Sequence, residues 1–180
     1  MTREQGTRAE LRFVLALGSN LGDREAILRA AVGDIAAIDG VELGRVSTLV
    51  ETPALKPEGV DRAAPAYLNA VLLVRSALEP QDLLRELNDI ERRHGRVRDI
   101  HWGDRTLDID IVSAGELTVD TPTLTIPHPR AAGRAFVLVP WVEVEPDATL
   151  PGHGPIAALL ADLEPRADDD AIAYPAEPLA

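Results

Sequence analysis

A chain of 180 residues, 46% hydrophobic and 27% charged with the charges spread along its length, suits one globular domain with a proper core. It holds no cysteine, which excludes a disulfide scaffold, a cysteine nucleophile and a thiolate metal site. The formal net charge of −12 repels phosphate backbones from most of the surface, so no nucleic acid is expected as a partner.

In chain order, residues 1–10 are polar and read as a flexible lead-in to a domain spanning 11–163. The apolar run 11–17 predicts a buried strand, and Gly18-Ser19-Asn20-Leu21-Gly22 forms the turn after it. That turn lacks the Lys-Ser/Thr ending of a phosphate loop, so it reads as a tight connection with Asn20 or a glycine at positive φ. Asp23 is placed as the N-cap of a helix to 38, with Ile27, Leu28, Ala31, Ile35 and Ile38 on its apolar side and Gly40 as its stop. A second strand is predicted over 41–50, a proline-rich loop over 52–65 and a third strand over 67–74. Pro80 then opens a helix at its favoured first-turn position. Leu83, Leu84, Leu87 and Ile90 form its stripe, Glu91 falls one turn beyond Leu87, and Gly95 ends it. A loop over 95–106 leads to a strand over 107–111, and a short hairpin joins 117–119 to 124–126. Two further helices are predicted over 134–144 and 156–163. The tail 164–180 carries Asp168-Asp169-Asp170 and late prolines, so it is expected to be loose.

The segment 95–111 carries the chemistry. Leu107, Ile109 and Ile111 alternate with Asp108 and Asp110, so both carboxylates leave one face of a strand. Aspartate is a poor strand former and like charges repel, so the pair asks for a cation. Upstream, Arg92, Arg93, Arg96, Arg98 and Arg105 make a cationic island in an acidic protein. Carboxylate oxygens suit Mg²⁺ and arginine forks suit phosphate, which points to a magnesium and polyphosphate site. Lys56 is the one lysine, which removes a Walker-type loop and leaves phosphate handling to arginine. His128, in a turn between prolines with Arg134 downstream, is a candidate donor to phosphate. His94, His101 and His153 have no zinc-like spacing and read as surface residues. Aromatics are sparse, so Tyr67 and Phe136 stand out, and Asn69 shares the strand face of Tyr67. A flat heterocycle suits that pair.

With these motifs in order, the chain resembles the 6-hydroxymethyl-7,8-dihydropterin pyrophosphokinases. The likeness rests on Leu17-Gly18-Ser19-Asn20-Leu21-Gly22-Asp23, Tyr67-Leu68-Asn69-Ala70, Gly95-Arg96-Val97-Arg98, Trp102-Gly103, Arg105-Thr106-Leu107-Asp108-Ile109-Asp110-Ile111 and Ile126-Pro127-His128-Pro129 with Arg134-Ala135-Phe136. It implies a ferredoxin-like α/β fold: a βαββαβ core with an antiparallel sheet, an extra hairpin and C-terminal helices. It also implies transfer of pyrophosphate from ATP to the pterin hydroxymethyl group in folate biosynthesis. Asp108 and Asp110 would hold two Mg²⁺ ions, and Arg96 and Arg105, with Asp110, are the expected catalytic residues. Arg98, Trp102, Arg105, Ile111, His128 and Arg134 are expected around ATP, and Thr52, Pro53, Leu55, Tyr67, Asn69 and Phe136 around the pterin. Glu91 matches an acidic position of the family.

No secretory signal or membrane span is visible, so a cytoplasmic location with no membrane partner is expected. No heptad or wide apolar stripe asks for a protein partner, so a monomer is expected. Two rival readings are a ferredoxin-like RNA-binding or nucleotide-sensing module and a Mg²⁺-dependent phosphohydrolase. The first calls for several adjacent sheet aromatics and a basic face, and the sequence offers neither. The second differs by releasing free phosphate without any pterin.

Overall fold

The structure is a computed structural model that describes residues 9–56, 59–96, 106–163, 172–174, 176 and 178–180. Strand β1 (Leu11–Ser19) runs through the middle of the sheet, and its alternation sends Phe13, Leu15 and Leu17 to one face and Val14 to the other. Gly22, at φ +72°, makes the turn that follows. Helix α1 (Arg24–Ala36) starts where expected, with the Asp23 carboxylate accepting the Ala26 N–H at 3.1 Å.

The predicted strand over 41–50 is two strands, β2 (Val41–Val46) and β3 (Val50–Thr52), both antiparallel to one neighbour. Ser47 accounts for the break. Its N–H donates to the Val71 carbonyl at 2.9 Å, and its hydroxyl accepts the Val71 N–H at 2.9 Å, so a side chain takes over one rung of the ladder. The proline-rich loop contains a small hairpin, β4 (Ala54–Lys56) with β5 (Gly59–Asp61). Strand β6 (Tyr67–Ser76) and helix α2 (Pro80–Arg93) follow, the strand two residues longer than expected. Leu83, Leu87 and Ile90 are buried on α2 as the stripe predicts, and Glu91 is buried with them. His94 is no surface residue: its Nε2 lies 2.9 Å from Asp34 Oδ2 and ties the end of α2 to α1.

Strand β7 (Asp108–Ala114) flanks β1, and β8 (Val119–Asp120) pairs with β9 (Thr125–Ile126) as the expected hairpin. Helix α3 (Ala135–Val144) accommodates Pro140, and β10 (Thr149–Leu150) pairs with β11 (Gly154–Pro155) before α4 (Ile156–Asp162). With a last strand, β12 (Ile172–Ala173), the sheet order is β12-β3-β6-β1-β7, with β2 also beside β6 and all pairs antiparallel. Helices α1 and α2 cover one face and α3 and α4 the other, each over its own apolar cluster. This is the expected ferredoxin-like βαββαβ core, with the second strand broken in two.

The tail departs from expectation where it is described. Strand β12 (Ile172–Ala173) adds to the edge of β3, and Leu179 is buried in the α1/α2 core. Residues 164–171 lie outside the described residues.

Candidate functional site

One row of Cα partners crosses the sheet near the end of β1: Val50 on β3, Asn69 on β6, Gly18 on β1 and Asp108 on β7. Two rows on, and so on the same face, Val71, Ala16 and Asp110 stand side by side. Asp108 and Asp110 therefore share a face, as their alternation predicts, while Ile109 and Ile111 enter the opposite core. Gly18 leaves a gap in the floor between an amide and a carboxylate. A Cβ added there would sit 3.2 Å from Asn69 Oδ1 and 3.7 Å from the Tyr67 ring.

Around the carboxylates the structure gathers three cations or donors. Arg96 Nη1 lies 2.8 Å from Asp108 Oδ1 and also bonds Glu91 Oε1. Arg134 Nη1 and His128 Nε2 stand 3.6 and 3.7 Å from Asp110 Oδ2. Arg134 also lies over the Phe136 ring, 5.3 Å from its centroid, which places an aromatic beside the cation at the start of α3. Two other arginines of the expected island go elsewhere: Arg92 pairs with Asp89, and Arg93 lies 3.8 Å from Asp34. Arg98, Trp102 and Arg105 fall outside the described residues.

In the sequence Glu91 is an acid on an apolar stripe that matches an acidic family position, and the structure gives it a place. It is 1% exposed, and its Oε1 accepts the Ile109 N–H at 2.7 Å while holding Arg96. One buried carboxylate thus joins α2, the start of β7 and the arginine on Asp108. Burial pushes its pKa from 4.5 up to about 7, against the pull of the Ile109 N–H and Arg96.

His128 shifts the other way. Burial first, then the charges of Arg134 and Arg130, lower it from 6.5 to about 4. Its Nδ1 accepts the Arg130 N–H at 3.1 Å, so in the neutral ring the hydrogen is assigned to Nε2, the nitrogen facing Asp110. The unfolded chain takes up this proton first as pH falls, so the contribution is full above 6.5 and is lost through pH 4. His128 ring resonances are accordingly expected to stay those of a neutral imidazole down to about pH 5, checked by NMR titration.

On the other flank, Asn69 is buried and its Nδ2 donates to Thr52 Oγ1 at 2.9 Å. Thr52 and Tyr67 are Cα partners, and Tyr67, Pro53 and Phe136 are each half-buried. Ile111 is 3% exposed and packs in the α1/α2 core, which leaves only its backbone to face a ligand. The backbone of Leu55 runs in β4.

Residues 14–146 match the model of the 7,8-dihydro-6-hydroxymethylpterin-pyrophosphokinase family. The chain belongs to this family. Among curated members of that name, the Mycobacterium tuberculosis protein is 41% identical over 174 residues, covering 89% of this chain and 88% of its own. The Pseudomonas aeruginosa protein is 39% identical over 150 residues, covering 83% and 90%. Among solved structures, Plasmodium falciparum HPPK-DHPS with pteroate superposes with a TM-score of 0.64 at 15% identity, over 87% of this chain and 43% of that one. That likeness shows the fold, and this chain spans under half the length of that protein. The family segment contains both flanks of the site, the Asn69 side and the Asp108–Asp110 side, whereas the docked tail residues lie beyond it.

Two carboxylates on one strand are a sparse metal site, and among the described residues no group of three or more His, Asp or Glu gathers to hold an ion. Magnesium is commonly bound through one or two carboxylates plus water and substrate phosphates, so the hard oxygen pair fits that ion.

Proposed function

We propose that this pyrophosphokinase-family chain transfers the pyrophosphoryl group of ATP to the hydroxymethyl oxygen of 6-hydroxymethyl-7,8-dihydropterin, releasing AMP in folate biosynthesis. The observation that carries this is the row Asn69–Gly18–Asp108, where a heterocycle-reading amide and a metal-type carboxylate flank a strand position with no side chain. Asp108 and Asp110 would hold two Mg²⁺ ions, which neutralise the triphosphate and draw charge off its phosphorus centres. Arg96 and Arg105 supply guanidinium donors to the phosphate charge that spreads as the alcohol oxygen bonds to the β-phosphorus and the bond to AMP breaks. Arg98, Trp102, His128, Arg134 and the backbone of Ile111 are assigned to ATP, and His128 acts as a neutral N–H donor. Tyr67 and Phe136 enclose the pterin, Asn69 reads its edge, and Thr52, Pro53 and Leu55 border it.

The protein is taken as a cytoplasmic monomer with small-molecule substrates. No helix among the described residues is long and apolar enough to cross a membrane.

The decisive test mixes the protein with ATP, Mg²⁺ and the pterin. AMP and pterin diphosphate are expected in equal amounts. Phosphate release in the absence of pterin would instead favour a hydrolase.

The floor itself is testable. A Gly18→Ala methyl would crowd Asn69 Oδ1 at 3.2 Å, so the amide must give way slightly, while it meets the Tyr67 ring at an ordinary 3.7 Å. The KM for pterin is expected to rise about tenfold with the KM for ATP nearly unchanged, measured by steady-state kinetics.

A further inference from the structure

The acceptor side of the site is built on the weakest part of the sheet. Strand β3 has three residues, and without β12 it would be an edge with open backbone groups. The C-terminal residues close that edge. Ile172 and Ala173 are Cα partners of Glu51 and Val50, and the Tyr174 N–H donates to the Leu49 carbonyl at 2.9 Å. Further on, the Pro178 carbonyl accepts from Arg29 of α1, and Leu179 is buried in the α1/α2 core.

Arg24, in the first turn of α1, sits under this strap. Its Nη1 donates to Glu51 Oε1 at 2.8 Å and to the Ala66 carbonyl at 2.7 Å. Its guanidinium also lies 5.9 Å from the centre of the Tyr174 ring. Glu51 and Ala66 directly precede Thr52 and Tyr67, which are Cα partners across β3 and β6. One side chain thus fixes the residue behind each of the two facing positions. Asn20 helps on the same side, donating from Nδ2 to the Pro65 carbonyl at 3.3 Å.

We propose that Arg24 and the C-terminal strap formed by Ile172, Ala173, Tyr174, Pro178 and Leu179 are positioning elements for the acceptor recess, setting the separation of Thr52 and Tyr67 and hence the affinity for the flat acceptor. This rests on the reading of that recess as the pterin side. Arg24 touches neither substrate in this scheme and acts through Glu51 and Ala66. The phosphate side, anchored on β7 and α2, is outside its reach.

The test compares full-length protein, Arg24→Ala, Arg24→Lys, Tyr174→Ala and a chain ending at Ala171. Arg24→Ala and the shortened chain are expected to raise the KM for pterin about tenfold, with kcat and the KM for ATP within about threefold of the starting protein. Arg24→Lys should recover part of the loss, and Tyr174→Ala should show a smaller one. A folded Arg24→Ala protein with unchanged KM for pterin overturns the proposal, as does an equal loss for both substrates. If the shortened chain fails to fold, the point variants decide. If the full-length protein turns over no pterin, the functional reading fails, and hydrogen exchange then decides the strap. Faster exchange at residues 49–52 and 66–69 in Arg24→Ala supports it, and unchanged protection there overturns it.

Discussion

An Asp110→Ala variant is expected to lose about a thousandfold or more in kcat while keeping a melting temperature within a few degrees of the unaltered protein. The two effects separate because of where the side chain sits. Asp110 is 38% exposed, and Arg134 and His128 approach its Oδ2 only to 3.6 and 3.7 Å. The Arg134 pair, at that length and exposure, contributes about 1 kcal/mol or less to stability, the neutral His128 ring adds no ion pair, and removing the carboxylate opens no cavity in either apolar cluster. Its chemical role has no substitute nearby. On losing it, the metal side of the site retains Asp108, whose Oδ1 is already held by Arg96 at 2.8 Å. Mn²⁺ binding in the presence of an ATP analogue, read by electron paramagnetic resonance, should weaken in step with kcat. A fall in kcat of less than about tenfold, with metal affinity intact, would mean that the ions are held elsewhere.

How much of this was legible varies with the range of the forces involved. The parity of Asp108 and Asp110 follows from a two-residue repeat, and it survives because Ile109 and Ile111 must enter the α1/α2 core. Asp23, Pro80 and Gly22 act within one turn of chain, and each does what its local chemistry predicts. The break between β2 and β3 was hidden because it depends on reciprocal bonds between Ser47 and Val71, residues on different strands. Two arginines of the cationic island have partners away from the aspartate strand. Asp89, three residues before Arg92, and Asp34 on another helix claim them, and neither pairing can be ranked from charge order alone. The tail misled most. Its acidic run and prolines suggest disorder, yet the open edge of β3 and the gap beside α1 give Tyr174 and Leu179 places to dock. On the candidate site, residue types and faces were readable, while the contacts that orient them, the Ile109 N–H on the Glu91 carboxylate that holds Arg96, and Arg24 behind Glu51, join separate elements.

Glu91→Gln is expected to lower kcat by about ten- to a hundredfold and yet leave the protein at least as stable as before at pH 8. The stability half follows from the direction of the pKa. In the folded chain burial holds the carboxyl at about 7, whereas 4.5 is its ordinary value. Between those values the folded state keeps a proton that the unfolded state has released, so stability falls as pH rises through the window. The accumulated penalty above pH 7 is of the order of 3 kcal/mol, and glutamine, which does not titrate, escapes it. Urea unfolding from pH 4.5 to 8 should therefore show the variant gaining on the parent up to about pH 7 and running parallel above it. Parallel curves throughout would remove the argument. The kinetic half has a separate cause, because both the Ile109 N–H and Arg96 bond the same Oε1, and a glutamine carbonyl there still accepts from them but without the charge that strengthens the grip on the guanidinium. Glu91→Ala removes both and opens a cavity, so that variant is expected to lose about 3 kcal/mol of stability as well as activity. A carboxylate that lowers stability at neutral pH while gripping an arginine beside the metal strand contributes to the reaction through that grip, since in the fold a neutral acceptor would serve.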